Sequence, residues 1–184
     1  IAISQLLPPV VNLTYSFARK GKRVSLRQHA PEMETSREIA IDYPEESAKS
    51  LFGKQQYGDA VHDVLADIVG EIGHTEGTII FSPTSGQATD TAIELAKRSS
   101  WSVNEERTDS LLEYVSETVH PSYALNQCLK SGVAYHHGKV PHHVRCSIER
   151  GFIEKHFHIL TCSTSLMQGV NLPAKNIIAR NPNL

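Results

Sequence analysis

The sequence predicts an α/β fold, a parallel sheet with helices on both faces. Short apolar runs rich in β-branched residues, such as Thr78-Ile79-Ile80-Phe81, alternate with segments of helical periodicity. The turns between them are built from Ser, Thr, Gly and His, residues that end strands and open helices. The chain of 184 residues is 40% hydrophobic and 21% charged, the composition of a globular domain with room to bury a core.

The first legible element begins at Tyr57. Val61, Val64, Leu65, Ile68, Val69 and Ile72 recur at i, i+3, i+4, i+7, i+8 and i+11, one face of an amphipathic helix that Gly73 and Gly77 end. Thr78-Ile79-Ile80-Phe81 then reads as a strand buried on both faces. Ser82-Pro83-Thr84-Ser85-Gly86 is a turn, and residues 87–98 form a helix with Ala88, Ala92, Leu95 and Ala96 inward. Two helices are expected next. One spans about 105–119 on Leu111, Leu112 and Val115, and the other spans 122–130, with Pro121 between them and Gly132 as the residue just past the second. Val133-Ala134-Tyr135-His136 is a second strand, followed by a loop over 137–140. Pro141 opens a helix at its first position, with Val144, Ile148 and Phe152 inward. A third strand is expected over 156–162, a turn over 163–168, and a fourth strand at Asn176-Ile177-Ile178-Ala179. In such a sheet the functional loops lie at the carboxyl ends of the strands.

Residues 1–56 carry weaker periodicity. Short strands are expected at 10–17 and 37–42, and the basic run of Arg19, Lys20, Lys22, Arg23 and Arg27 is expected as a solvated loop or edge strand. The domain division that follows is 1–56 as a linker or the tail of a preceding domain, and 57–184 as the α/β domain. The sequence starts at Ile1 and stops at Leu184 just after an apolar run, so a piece of a longer protein is expected.

Eighteen Lys and Arg against twenty Asp and Glu give a net charge of −2, which excludes a global positive field and makes any polyanion site local. Cys128, Cys146 and Cys162 are scattered, without a CxxC pair, which argues against a disulfide framework and for a reducing, cytoplasmic compartment. No apolar run approaches the ~20 residues that span a bilayer, so no membrane partner is expected.

The loops after three strands share one chemistry. Ser82, Thr84, Ser85 and Gly86 follow the first, His137 and Gly138 the second, and Ser163, Thr164 and Ser165 the third. Small hydroxyl residues and glycine at strand-to-helix turns expose backbone N–H groups that suit phosphate oxygens. Each loop alone is explained by helix capping; together they make a track along one sheet edge. A rival site comes from the ten histidines: His136, His137, His142, His143, Cys146, His156, His158 and Cys162 cluster in the sequence. Zinc needs four converging N or S ligands. Only His142 and Cys146, at i and i+4, share a helix face, and His156 and His158 alternate with apolar neighbours on the expected third strand, so no metal site is assigned. Trp101 and the tyrosines do not interleave with basic residues, which argues against a base-stacking platform.

The run Ser163-Thr164-Ser165-Leu166-Met167-Gln168-Gly169-Val170-Asn171-Leu172-Pro173-Ala174 closely resembles motif V of superfamily 2 helicases, in the Ski-like and Hel-like DExH branch. Thr78 to Ser85 resembles motif IV, and Gly132 to Gly138 the strand and loop between the two. The helix with Arg145, Glu149 and Phe152 resembles the one that follows. The resemblance covers roughly residues 57–182 and implies the second RecA-like domain of such a helicase, truncated at its C-terminal edge.

It implies roles position by position. Ser163 and Thr164 would contact the nucleic-acid backbone, RNA or DNA, single-stranded or duplex. Thr84, Ser85 and Gly86, and His137 with Gly138, would add further backbone contacts. Gly169 and Asn171 would lie on the ATP-facing side, Asn171 where many relatives have Asp. Gln168, on the same side, stands where the DEAD-box branch has Arg. Such contacts are sequence-independent and salt-sensitive. No GxxxxGK[ST] and no DExH run is present. The resemblance therefore implies that ATP and magnesium are bound mainly by a first RecA-like domain of the same parent chain, and that this piece alone is inactive as an ATP hydrolase. A second reading is a non-catalytic helicase-like module for binding or regulation, with a His/Cys metal site.

Overall fold

The structure is a computed structural model and describes residues 14–20, 23–29, 37–41, 59–72, 76–98, 101, 103–166 and 172–179. The chain divides into two compact units, 1–61 and 62–184.

The first unit holds a three-stranded antiparallel sheet of β1 (Thr14–Lys20), β2 (Arg23–His29) and β3 (Arg37–Ile41), in the order β1-β2-β3. The basic run is therefore neither a loop nor confined to an edge. Arg19 and Lys20 end β1, and Arg23 and Arg27 lie in the central strand β2. The reason is visible in the sequence once the pairing is known. Arg23-Val24-Ser25-Leu26-Arg27 alternates polar and apolar residues, and Lys20 pairs with Arg23 across a two-residue connection containing a glycine. Charge density masked a strand pattern.

The second unit begins with α1 (Asp59–Ile72), on which Leu65, Ala66, Ile68 and Val69 are buried. Four strands follow: β4 (Thr78–Phe81), β5 (Val133–His136), β6 (Ile159–Cys162) and β7 (Asn176–Ala179). All pairings are parallel and the order is β5-β6-β4-β7. Parallel neighbours require crossovers. They are supplied by α2 (Ser85–Arg98), α3 (Glu105–Thr118) and α4 (Ala124–Lys130) between β4 and β5, and by α5 (His142–Ile153) between β5 and β6. The core is built from Ile80, Leu95, Leu125, Leu129, Ile148, Phe157, Ile159 and Leu160.

Burial falls across the sheet. Every residue of β5 and β6 is buried, β4 alternates buried and half-buried, and β7 alternates half-buried and exposed, with Ile177 74% exposed. The expectation that β4 is buried on both faces is corrected here: Thr78 and Ile80 are buried, whereas Ile79 and Phe81 are half-buried. Composition cannot distinguish a strand covered twice from one covered once when all four residues suit both.

Three boundaries also move. The helix after β4 starts at Ser85 instead of 87, because Thr84 caps it: the Thr84 carbonyl accepts from the Ala88 N–H at 3.0 Å. Pro141 is the N-cap of α5, with ψ of 140°, and not its first helical residue. The third strand starts at Ile159, so His156 and His158 precede it. The His156 carbonyl is taken by the α3 N-terminus, accepting from Asn104 N–H at 3.0 Å and Thr108 Oγ1 at 3.1 Å, and is lost to the ladder. Helix ends are made with care. Gly132 follows the α4 C-cap at φ 78°, and Lys155 follows the α5 C-cap at φ 59°.

Candidate nucleic-acid interface

The register sets the level of the site. Phe81 pairs with Cys162, and Cys162 pairs with His136, so β5, β6 and β4 end together. Their successors His137, Ser163 and Ser82 leave the sheet side by side. With adjacent strands about 4.8 Å apart, the three exits span about 10 Å.

The first loop runs into α2. Thr84 is exposed, and its Oγ1 accepts from the Gln87 N–H at 3.2 Å, which leaves its own proton to be donated outward. Ser85 and Gly86 are the first two helical residues, and their N–H groups have no place in the ladder. Gly86 is exposed, a Cβ there would meet nothing within 4 Å, and its φ is not in the left-handed region. The fold itself has no need of a glycine here. Ser82 is fully buried, its N–H held by the Cys162 carbonyl at 2.8 Å, and its Oγ has no partner among the described residues.

The second loop is tied to the first. His137 is buried, stacked on Tyr135 at 5.4 Å between ring centroids and 5° between planes. The Lys139 N–H donates to His137 Nδ1 at 3.3 Å, and His137 Nε2 lies 2.8 Å from Thr89 Oγ1. One neutral tautomer satisfies this: Nδ1 accepts, Nε2–H donates to Thr89, and the Thr89 hydroxyl donates to the Ser85 carbonyl at 3.2 Å. Burial, helped by His136, Lys139 and Arg145, pushes the His137 pKa down and keeps that tautomer neutral. The imidazole therefore holds the loop against the first turn of α2. Gly138 is exposed and, like Gly86, meets open space.

His136 is buried, with Nε2 2.7 Å from Glu149 Oε1 on α5. Burial outweighs the carboxylate and lowers its pKa too, so Nε2–H donates to Glu149. Its carbonyl accepts the Ser163 N–H at 3.3 Å, which fixes the third loop to the second. Ser163 is buried, and Thr164 is exposed at the start of a 3₁₀ turn, Thr164–Leu166. Arg145, half-buried on α5, adds a positive charge close enough to depress both histidines.

The structure thus brings Thr84, Ser85, Gly86, His137, Gly138, Ser163 and Thr164 to one sheet edge. Gln168, Gly169 and Asn171, expected against ATP, lie outside the described residues. Sequence reading missed Thr89, whose only signal is its i+4 spacing from Ser85. It also assigned no role to Glu149, which steadies His136. The His/Cys set is dispersed. Cys146 Sγ is 3.8 Å from His142 Nε2 on the exposed face of α5, His143 meets Tyr114 edge-on, and His156 pairs with Glu154 at 3.0 Å. Cys162 is a buried thiol pushed up to about 11 by burial. Among the described residues no group of three or more His, Cys, Asp or Glu could hold a metal ion, and no helix is long and apolar enough to cross a membrane.

No protein-family model matches the chain. Individual proteins do. It is 27% identical over 130 residues to a helicase POLQ-like protein of Caenorhabditis elegans, covering 67% of this chain and 14% of that one. It is 29% identical over 131 residues to the ATP-dependent DNA helicase Hel308 of Thermoplasma acidophilum, covering 71% and 18%. It is 28% identical over 124 residues to the ATP-dependent DNA helicase MER3 of Saccharomyces cerevisiae, covering 66% and 10%. The chain spans less than a fifth of the length of each of these relatives. Over about 70% of its length, then, this chain is a homologue of the Hel308, POLQ-like and MER3 helicases, superfamily 2 enzymes of the Ski-like DExH branch.

Proposed function

We propose that residues 57–184 are the second motor domain of an ATP-dependent DNA helicase, and that the edge formed by the three loops grips the sugar-phosphate backbone of one strand. The observation that carries this is the common level at which β5, β6 and β4 end, which lines up three loops of one chemistry. The names of the Hel308 and MER3 relatives support DNA as the strand.

In this reading the Thr84 hydroxyl and the Ser85 and Gly86 N–H groups hold one phosphate at the positive end of α2. Thr164, with Ser163 beneath it, meets a neighbouring phosphate, and Gly138 lets the backbone come close. His137 and Glu149 are positioning residues. ATP and magnesium supply the energy that closes two motor domains on each other. They are held mainly by a first RecA-like domain, with Gln168, Gly169 and Asn171 facing that side. Residues 1–56 are the linker or the tail of that preceding domain. Contacts of this kind read no base sequence.

The test is a salt titration of a labelled oligothymidylate against the 184-residue chain, with Gly86→Ala and Thr164→Ala. Gly86→Ala should stabilise α2 by about 0.5 kcal/mol, since the conformation and the space both accept a methyl group. The same methyl group should weaken strand binding several-fold by blocking the approach of a phosphate. Thr164→Ala should weaken binding without altering stability. Unchanged binding by both variants would remove this edge from the nucleic-acid interface, and tighter binding of an oligouridylate would replace DNA by RNA.

A further inference from the structure

We infer that the β1–β2 hairpin of the first unit is a second phosphate-backbone contact, separate from the sheet edge of the α/β unit. The inference rests on the proposed function only for the identity of the polyanion as a nucleic acid.

The register makes the case. Lys20 stands directly opposite Arg23, and Arg19 opposite Val24, with residues 21 and 22, Gly and Lys, between the strands. Arg19, Lys20, Lys22 and Arg23 therefore gather at the connected end. Residues 14–29 contain no Asp or Glu. The pairing of β2 with β3 begins only at Val24, so Arg23 has no partner in β3. Arg27, away from that end, differs: its register partner in β3 is Glu38. The sheet thus places an acid across from the remote cation and none across from the cations at the tip.

Like charges directly opposite each other on neighbouring strands destabilise a hairpin, and opposite charges stabilise it. A fold selected for stability alone gains from an acid at position 20 or 23. The Lys20–Arg23 pair is a local cost, and an external polyanion repays it by neutralising both cations and releasing its own counterions. Nucleic acid is favoured over an anionic lipid surface because Lys20-Gly21-Lys22-Arg23 has no aromatic or large aliphatic residue to enter a membrane interface. In a chain of net charge −2, this is a local field of the kind a polyanion needs.

The decisive variant is Lys20→Glu in the 184-residue chain. It converts a like-charged cross-strand pair into an opposite-charged one, so a purely structural role predicts an equal or higher melting temperature and no change in binding. The inference predicts an equal or higher melting temperature together with several-fold weaker oligothymidylate binding at about 50 mM salt, and a salt slope lower by about 1. Lys22→Gln, outside the paired registers, should give a smaller loss of the same kind and carries the test if Lys20→Glu unfolds the hairpin. Wild-type slopes for both variants would overturn the inference. So would Lys20-dependent binding to phosphatidylserine vesicles with oligonucleotide binding intact, which would make the hairpin a membrane contact. Loss with Lys20→Glu but not with Gly86→Ala would sink the sheet-edge interface and leave the hairpin standing, and the reverse pattern would do the opposite.

Discussion

His137 shows how a residue of binding character becomes a structural one. Its ring is buried, both nitrogens are engaged, and it links Lys139 through Thr89 to the Ser85 carbonyl. Protonation would put a second hydrogen on Nδ1 and break the bond from the Lys139 N–H. The consequence for stability has a definite sign. Both His136 and His137 have pKa values below the ordinary 6.5 because burial disfavours the imidazolium. Above pH 6.5 both the folded and unfolded forms are neutral and the groups contribute nothing. Below it the unfolded chain takes up protons that the folded chain refuses, so stability falls as pH falls. The urea midpoint should therefore drop between pH 6.5 and 5. In His137→Gln the drop should be shallower and the midpoint at pH 7.5 lower, by about 1 kcal/mol for the lost bonds. An identical pH dependence in the variant would show that His137 is not one of the groups responsible.

Helix ends determine where each loop is presented. α5 ends with the Lys155 N–H on the Phe152 carbonyl at 3.2 Å and the His156 N–H on the Gly151 carbonyl at 2.8 Å, a closing motif that normally carries glycine at the residue with positive φ. Lys155 takes that conformation at a cost of about 1 kcal/mol. Lys155→Gly should recover a comparable amount in thermal unfolding. Gly132 at the α4 end is the opposite case. A Cβ there would lie 2.9 Å from Trp101 Cβ and 3.1 Å from the Trp101 carbonyl oxygen, so Gly132→Ala should destabilise by about 2 kcal/mol from strain and crowding together. A stabilising Gly132→Ala would contradict the geometry. Elements were legible where periodicity and punctuation agreed: β4, β5 and β7 lie where their apolar runs lie, and Gly132 is where a helix-ending glycine belongs. They were misjudged where another element claimed the backbone, as α3 claims the His156 carbonyl, or where charge hid alternation, as in β2.

At the scale of the whole molecule, the proposed function predicts that the 184-residue chain binds an oligonucleotide yet releases no phosphate from ATP, with or without DNA. Phosphate release above a Thr84→Ala, Gly86→Ala double-variant control would mean that hydrolysis does not require a separate first domain. The sequence by itself determined the fold class, the succession of strands and helices in the α/β unit, the loops of common chemistry and the helicase resemblance. These rest on local signals, namely side-chain period, turn residues and a contiguous motif. Only the tertiary structure decided the strand order β5-β6-β4-β7, the shared level of the strand ends, the chain of bonds from His137 to Ser85, and the facing of Lys20 and Arg23. Each of these depends on which distant segments pair and in what register. That is settled by packing across the whole sheet, where a strand's own residues specify that it is a strand but not its neighbours.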